Sequence, residues 1–194
     1  GYFQANKTVV QEINRLEFSP QMVRLGTGEL DPRLFPADMM KEALSRAASS
    51  IESWHPEPLG LERLRKAVSR HLEKIGIIAP PSSILITSGA LQALQLISAS
   101  LLEGGSVVYT ERPTYLNSLR VFQSQVRLTG VAMDAQGISM ASLQNIVPLS
   151  SAKTDAVLYT HPTITSDGTH DDADRRYALL KFCRQPPPAI IEDG

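Results

Sequence analysis

The stretch that decides the fold is Ile84-Leu-Ile-Thr-Ser-Gly-Ala-Leu-Gln-Ala93. It opens with an apolar run typical of a β-strand, and Thr87-Ser-Gly89 ends that run with a turn. Apolar residues then recur at the spacing of an α-helix, at Leu91, Leu94, Ile97 and Leu101. The sequence therefore predicts a strand, a glycine turn and a helix N-terminus, whose first backbone N–H groups have no partner within the helix. Such a place binds phosphate.

The same alternation of strand and helix continues along the rest of the chain. We predict strands at Ile84–Thr87, Ser106–Thr110, Val126–Val131, Ala156–Tyr159 and Ala189–Glu192. We predict helices at Ala90–Leu102, Thr114–Ser124, Met140–Ile146 and Asp171–Cys183. Because the strands are almost continuously apolar and alternate with helices, they predict an α/β fold, with a mostly parallel sheet and helices on both faces.

The first part of the chain is organised differently. The segment Leu25-Gly-Thr-Gly-Glu-Leu-Asp-Pro32 is rich in turn residues, within a mixed stretch that reaches residue 36. Helices are predicted over Asp38–Ala48 and from Leu61 to about Lys74. The segment Trp54-His-Pro-Glu-Pro-Leu-Gly60 lies between them, and its prolines and glycine predict a loop.

The composition excludes several classes of protein. The 194 residues are 42% apolar and 20% charged, as in an ordinary globular protein, and a net charge of −1 gives no electrostatic basis for binding nucleic acid or an anionic membrane. The single cysteine, Cys183, excludes an internal disulfide, and no apolar run reaches transmembrane length. We therefore expect a cytoplasmic protein. Because the chain begins with Gly1 and not with Met, we also expect a piece of a longer protein.

The turn before Ala90 offers the first set of candidate ligands. The backbone N–H groups of Ala90 and Leu91 are placed to receive anionic oxygens, with help from the helix dipole. The Ser88 hydroxyl adds a further donor. A plain strand–helix junction without a ligand is the alternative interpretation.

Two further candidates follow predicted strands. Tyr115 comes just after the strand at Ser106–Thr110, where a planar ring can stack on a ligand; a core tyrosine is the alternative. Asp193 ends the strand at Ala189–Glu192, where an acid faces the crevice in which α/β proteins bind ligands. A buried carboxylate needs a cation, and a protonated pyridine nitrogen is one. A surface acid is the alternative.

Taken in order, these residues resemble the fold-type I pyridoxal-phosphate proteins, the aspartate aminotransferase superfamily. Within it, the chain is most similar to the aminotransferase-like domain of MocR regulators, a branch of the GntR transcription factors. The resemblance covers nearly the whole chain. It is carried by Leu25-Gly-Thr-Gly-Glu-Leu30, Pro56-Glu-Pro-Leu-Gly60 with Leu64-Arg65, Ile84–Ala93, and Asp174-Arg-Arg176 ahead of Ile190-Ile-Glu-Asp193.

The resemblance implies a cofactor, pyridoxal 5′-phosphate, and roles for single residues. It implies that Ala90 and Leu91 bind the phosphate, that Tyr115 stacks on the ring and that Asp193 pairs with the ring nitrogen. It implies an N-terminal arm and first helix over residues 1–50, and a partial cofactor-binding large domain over residues 51–194 that is incomplete at its C-terminus.

The resemblance also implies partners. The full-length protein would be a homodimer that binds an amino acid or an amine. It would reach DNA only through a domain that is not present in this chain, and it would not bind a membrane.

The chain departs from the family pattern in two places. The family has an Asn-Pro-Thr-Gly turn whose asparagine binds the phenolic oxygen of the cofactor, whereas this chain reads His161-Pro-Thr-Ile-Thr-Ser-Asp-Gly-Thr169. Ser166 takes the place nearest to that asparagine. Where the family has a tyrosine that reaches the phosphate of the neighbouring subunit, this chain offers Trp54 or His55.

The Schiff-base lysine of the family is absent from this chain. The resemblance implies that it lies beyond Asp193 and is followed by an arginine for the substrate carboxylate, but the chain ends at Gly194. Lys153 falls in a polar loop and Lys181 on an amphipathic helix, where exposure to solvent explains both. We therefore assign no catalytic residue and expect the 194-residue chain alone not to transaminate.

The sequence leaves three functions open: the ligand-sensing domain of a MocR-type regulator, the N-terminal part of a free-standing class I/II aminotransferase, and a degraded remnant that binds no cofactor. No metal site is expected, because a helix start capped by Thr169 explains His170-Asp171-Asp172. The sensing domain of a regulator is the function that these residues favour.

Overall fold

The computed structural model describes residues 9–24, 29–102, 106–112, 121–122, 127–135, 137–146, 156–160, 177–179, 181 and 189–193. The chain divides into two compact units, Gly1–Ile86 and Thr87–Gly194. The boundary predicted between residues 50 and 51 separates an N-terminal arm from a cofactor-binding domain, which is a different kind of division from that into compact units. It stays a prediction.

The second unit is built around a five-stranded sheet. In chain order its strands are β1 (Val107–Arg112), β2 (Arg127–Asp134), β3 (Gly137–Ile138), β4 (Ala156–Thr160) and β5 (Ala189–Glu192). They are arranged in the order β3-β2-β1-β4-β5. The β1–β2, β1–β4 and β4–β5 pairs are parallel, whereas the two-residue β3 runs antiparallel to β2. The predicted mostly parallel sheet is confirmed.

Side chains of β1 alternate between two cores, because successive residues of a strand face opposite sides of the sheet. One core is formed by Val107, Tyr109, Val131, Ile138 and Leu143. The other is formed by Leu94, Leu102, Val108 and Phe122. Helix α4 (Ala90–Leu101) lies on the second side and helix α5 (Met140–Ile146) on the first. The prediction of helices on both faces is therefore confirmed.

The helix predictions for this unit hold where the structure describes the chain. The bounds of α4 and α5 agree with the prediction to within one residue. Most of the helices predicted at Thr114–Ser124 and Asp171–Cys183 lies outside the described residues, although residues 121–122, 177–179 and 181 are helical.

The buried face of α4 is narrower than its apolar pattern predicts. Leu94 and Ser98 are buried, whereas Leu91 and Leu101 are exposed. Leu94 and Ser98 are four residues apart and so share one side of the helix. The polar Ser98 therefore occupies a core position that the apolar pattern did not mark.

The prediction of a strand at Ile84–Thr87 is wrong. A strand exists only in a ladder of hydrogen bonds with a neighbouring strand, and among the described residues this segment joins no ladder. Its one backbone bond to a distant segment runs from the Ile86 N–H to the Leu59 carbonyl, at 2.9 Å. An apolar run was enough to predict an extended backbone but could not supply the partner.

The described residues of the first unit form three helices and short 3₁₀ turns. The helices are α1 (Val9–Glu17), α2 (Ala37–Ala48) and α3 (Glu62–Lys74). The predictions of α2 and α3 are confirmed, whereas α1 lies in a stretch that was interpreted as mixed. The 3₁₀ turns are at Pro32–Leu34, Ile51–Ser53 and Pro81–Ser83.

Hydrogen bonds fix both ends of α3. At its N-terminus, the Glu57 carboxylate accepts the Glu62 N–H at 3.2 Å and so acts as a cap from outside the helix. At its C-terminus, Gly76 has a φ of +84° and the Ile77 N–H donates to the Leu72 carbonyl at 2.9 Å. This is the Schellman arrangement, which favours glycine at the left-handed position.

The loop at Pro56–Gly60 is held against residues 81–86 by a side chain and a glycine. The Arg65 guanidinium donates to the Gly60 carbonyl at 2.9 Å and to the Pro81 carbonyl at 3.0 Å. Gly60 has a φ of +98°, and a Cβ atom there would lie 2.6 Å from the Cβ of Ile86. The backbone angle and the space available both require glycine.

Apolar side chains of the first unit remain exposed. Among its described residues no hydrophobic side chain is buried, and Met39 on α2 is 73% exposed. Both hydrophobic cores are formed by residues of the second unit. In the part of the chain that the structure describes, no helix is both long and apolar enough to cross a membrane.

We expect Gly60→Ala to lower the free energy of unfolding by about 2–4 kcal/mol, because the new methyl group adds an overlap with Ile86 to the strain of a positive φ. Gly76→Ala is the matched control. Its φ is also positive, but no atom lies within 4 Å of the Cβ position, so strain alone should cost about 1 kcal/mol. Urea unfolding of the full chain measures both, and equal losses would contradict the close approach of Gly60 to Ile86.

Candidate functional site

Gly89 turns the chain into α4. It has a φ of +91° and a ψ of 166°, which glycine adopts without strain, and it offers no capping side chain. The Ala93 N–H donates to the Gly89 carbonyl at 3.3 Å and begins the helical hydrogen bonds. The N–H groups of Ala90 and Leu91 precede that bond, and neither has an acceptor among the described residues.

Neighbouring side chains fix the shape of this turn. The Gln92 Oε1 accepts the Ser88 N–H, and the Thr87 hydroxyl donates to the Gly89 carbonyl at 3.0 Å. Ser88 is exposed, and its hydroxyl takes part in neither of these two hydrogen bonds. No role was predicted for the Gln92 or Thr87 side chains. A glutamine three residues after the glycine has the spacing of a capping box, which is the signal that marks Gln92, although it bonds the residue before the N-cap.

Helix α4 brings the turn to the carboxyl edge of the sheet. The helix ends at Leu101 and β1 begins at Val107, so α4 runs back along the strand that follows it. Leu94 packs in the same core as Val108 of β1. Twelve helical residues span about 18 Å and six strand residues about 20 Å, so the two elements match in length. Chain order and the shared core therefore favour a position for the start of α4 near the end of the parallel strands, the edge at which α/β proteins bind ligands.

Asp193 follows β5 at the same edge. In β5, Ile190 packs against the core that contains α5, and Ile191 against the core that contains α4. Because strand residues alternate, Asp193 falls on the α4 side of the sheet, and it is half-buried there. Asp193 and α4 thus share one face of the sheet, and the joint role of Asp193 with Ala90 and Leu91 stays a prediction.

The structure does not test every predicted residue. Tyr115 and Ser166 lie outside the described residues, and their roles stay predictions. Trp54 and His55 belong to the first unit, where Trp54 is exposed and the His55 Nδ1 lies 3.5 Å from the Ser53 carbonyl oxygen.

A buried acid lies at the same edge on the opposite face. Glu111 is buried near the end of β1. It lies two residues after Tyr109 and therefore shares the face of Tyr109, which is the side of the sheet away from α4. The sequence analysis did not single it out. A charged residue that continues an apolar strand was the signal available.

The donor set fits a phosphate ester that also carries a basic ring nitrogen. Free N–H groups and the positive end of the α4 dipole favour an anion, and the Asp193 carboxylate at the same edge favours a cation. Among the described residues, no group of three or more His, Cys, Asp or Glu side chains is placed to hold a metal ion. The segment His170-Asp171-Asp172 lies outside those residues.

The chain is similar over its whole length to a bacterial transcription regulator. It is 40% identical over 196 residues to the HTH-type transcriptional regulator YdfD of Bacillus subtilis, a match that covers 100% of this chain and 40% of that protein. The chain therefore spans less than half the length of this curated relative. No protein-family model matches the chain.

Solved aminotransferase structures share its fold. An archaeal alanine:glyoxylate aminotransferase superposes with a TM-score of 0.81 and 28% identity, over 95% of this chain and 48% of that one. The kynurenine aminotransferase of Pyrococcus horikoshii, solved in complex with PMP, superposes with a TM-score of 0.79 and 25% identity, over 98% and 50%. The resemblance read from the sequence is confirmed.

Ala90→Glu separates the stability of α4 from anion binding. A carboxylate at the first position of the helix favours the helix by about 0.3–1 kcal/mol but repels an anion at the same turn. We expect an unchanged or raised free energy of unfolding, with affinities for inorganic phosphate and pyridoxal phosphate about ten-fold weaker by calorimetry.

Ser100→Glu is the control for this substitution, because it adds the same charge at an exposed position in the last turn of the same helix. It should leave both affinities unchanged. If the two variants bind phosphate equally well, the start of α4 is not an anion site.

Proposed function

We propose that this chain, which shares the fold of solved aminotransferases, is the effector-sensing part of a MocR/GntR-type transcription regulator that acts in the cytoplasm. In this proposal the domain binds pyridoxal 5′-phosphate. The observation that supports it most is that α4, whose first N–H groups have no acceptor among the described residues, and Asp193 share one face of the sheet. The similarity to YdfD favours a regulator over an enzyme.

In this proposal, different described residues bind the phosphate and the ring nitrogen of the cofactor. Ala90 and Leu91 donate backbone N–H groups to the phosphate, and the exposed Ser88 hydroxyl is a third donor. The Asp193 carboxylate pairs with the ring nitrogen and keeps it protonated. When bound, pyridoxal phosphate supplies an electron-withdrawing ring and an aldehyde that reacts with primary amines.

Two roles rest on the family resemblance alone. Tyr115 would stack on the ring, and Ser166 would donate to its phenolic oxygen with a shorter reach than the asparagine of the family. The effector would be an amino acid or an amine, because the aldehyde reacts with that group. The full-length protein would be a homodimer and would bind DNA through a domain outside this chain.

A free-standing aminotransferase is the second candidate, and the likeness to the archaeal alanine:glyoxylate aminotransferase supports it. Both candidates use the same cofactor residues, so cofactor binding does not separate them. Sequence-selective DNA binding by the full-length protein does. We expect the protein to enrich one sequence from a random DNA pool and to change its affinity for that DNA when pyridoxal phosphate and an amine are added.

The two outcomes of that selection are distinct. Enrichment of a sequence supports the regulator. Turnover of an amino acid and a keto acid by the full-length protein, without enrichment of any sequence, would support the aminotransferase instead.

Asp193→Asn tests the contact with the ring nitrogen. An amide cannot stabilise a protonated ring, so we expect the pKa of the bound ring nitrogen to fall and the affinity for pyridoxal phosphate to weaken about ten-fold. Absorbance titrations at several pH values measure both. Glu192→Gln is the matched control, because Glu192 is exposed and the alternation of β5 places it on the other face. Equal effects of the two substitutions would contradict the role of Asp193.

A further inference from the structure

A buried carboxylate ends α1. Glu17 is only 7% exposed, and neither oxygen of its carboxylate has a hydrogen-bond partner among the residues that the structure describes. Its Oε1 lies 3.9 Å from the Nε of Arg24, close enough for an ion pair and too far for a hydrogen bond. The C-terminus of a helix is the negative end of its dipole, so the helix adds to the cost of a negative charge there. Arg24 is therefore the counter-ion nearest to this carboxylate among the described residues.

Arg24 also makes two other contacts. Its guanidinium lies 4.1 Å from the centre of the Phe18 ring, and its Nη2 donates to the Glu29 Oε1 at 2.9 Å. Glu29 is 63% exposed, so water and salt weaken that ion pair. The Arg24 guanidinium thus pairs with Glu17 at the end of α1 and with Glu29, five residues after Arg24.

The turn between Glu17 and Arg24 is strained. Gln21 has a φ of +66°, and it is the one non-glycine residue with a positive φ among those that the structure describes. The Met22 N–H donates to the Ser19 carbonyl at 3.2 Å within this turn. A side chain in the left-handed region costs energy, so such a turn persists only where other contacts hold it.

We propose that Glu17, Arg24 and Glu29 form a charge latch that holds the strained turn at Gln21 closed against the end of α1. Arg24 compensates the buried charge of Glu17 and so keeps the chain folded back on the helix. If an anionic group draws the guanidinium away, Glu17 is left buried without a counter-ion, and the turn opens. An anionic group that competes with Glu17 for the Arg24 guanidinium would therefore open the turn at the end of α1. This proposal does not depend on the proposed cofactor.

A double-mutant cycle tests the latch in the full chain. Hydrogen exchange at the amides of Phe18, Ser19, Gln21 and Met22 is measured for Arg24→Met, Glu17→Met and the double variant. We expect Arg24→Met to speed exchange at least about ten-fold, because it leaves a buried carboxylate unpaired. Glu17→Met removes that carboxylate, so it should not speed exchange, and the double variant should return to within about two-fold of the parent protein.

Two further variants separate the latch from general effects of the substitutions. Gln21→Gly relieves the strain without changing a charge and should slow exchange in the same turn. Arg33→Met is the matched control, because Arg33 pairs with Asp31 and lowers the pKa of that carboxyl, yet the pair is exposed; it should leave residues 18–22 unchanged. If Arg24→Met speeds exchange equally whether or not Glu17 is present, the latch is refuted.

Discussion

The burial of β1 on both faces is the constraint on which the rest of the second unit depends. Its side chains enter two separate cores, so a helix must cover each side of the sheet. Helix α4 packs on one side through Leu94, in the core that contains Val108 of β1, and chain order directs its start toward the edge where the parallel strands end. Gly89 then determines what that end can do, because its backbone angles start the helix without a capping side chain. The candidate phosphate site follows from the packing of β1 and one glycine.

Short-range sequence patterns predicted most of the described helices and strands of the second unit but few of its side-chain contacts. The parallel strands could be predicted because strands buried on both faces are apolar throughout, and α2, α3, α4 and α5 because capping and apolar spacing are local signals. The segment at Ile84–Thr87 has the same apolar run as the strands, but no described strand pairs with it. An apolar run does not show whether a partner strand is present. The glycine turn before α4 and the acid after β5 could be located from the sequence, whereas their binding roles stay predictions. The bond from Ser88 to Gln92 was missed, although its spacing was visible, because several partners were equally possible in the sequence.

The residues that carry the family resemblance do not all serve a ligand. In Pro56-Glu-Pro-Leu-Gly60, the Glu57 carboxylate caps α3, and Gly60 provides the space that Ile86 needs. Arg65 ties that loop to Pro81 through two carbonyl groups. These contacts explain the motif by the folding of the first unit alone. No apolar side chain in the described part of this unit is fully buried, and polar contacts of this kind connect its segments.

The central claim is that the start of α4 and Asp193 hold the two ends of one pyridoxal phosphate molecule. A crystal structure of the full-length protein grown with pyridoxal phosphate tests it most directly. We predict phosphate oxygens within about 3 Å of the backbone nitrogens of Ala90 and Leu91, and the ring nitrogen at the same distance from the Asp193 carboxylate. A phosphate bound elsewhere, or a ring nitrogen that faces another group, would contradict the account.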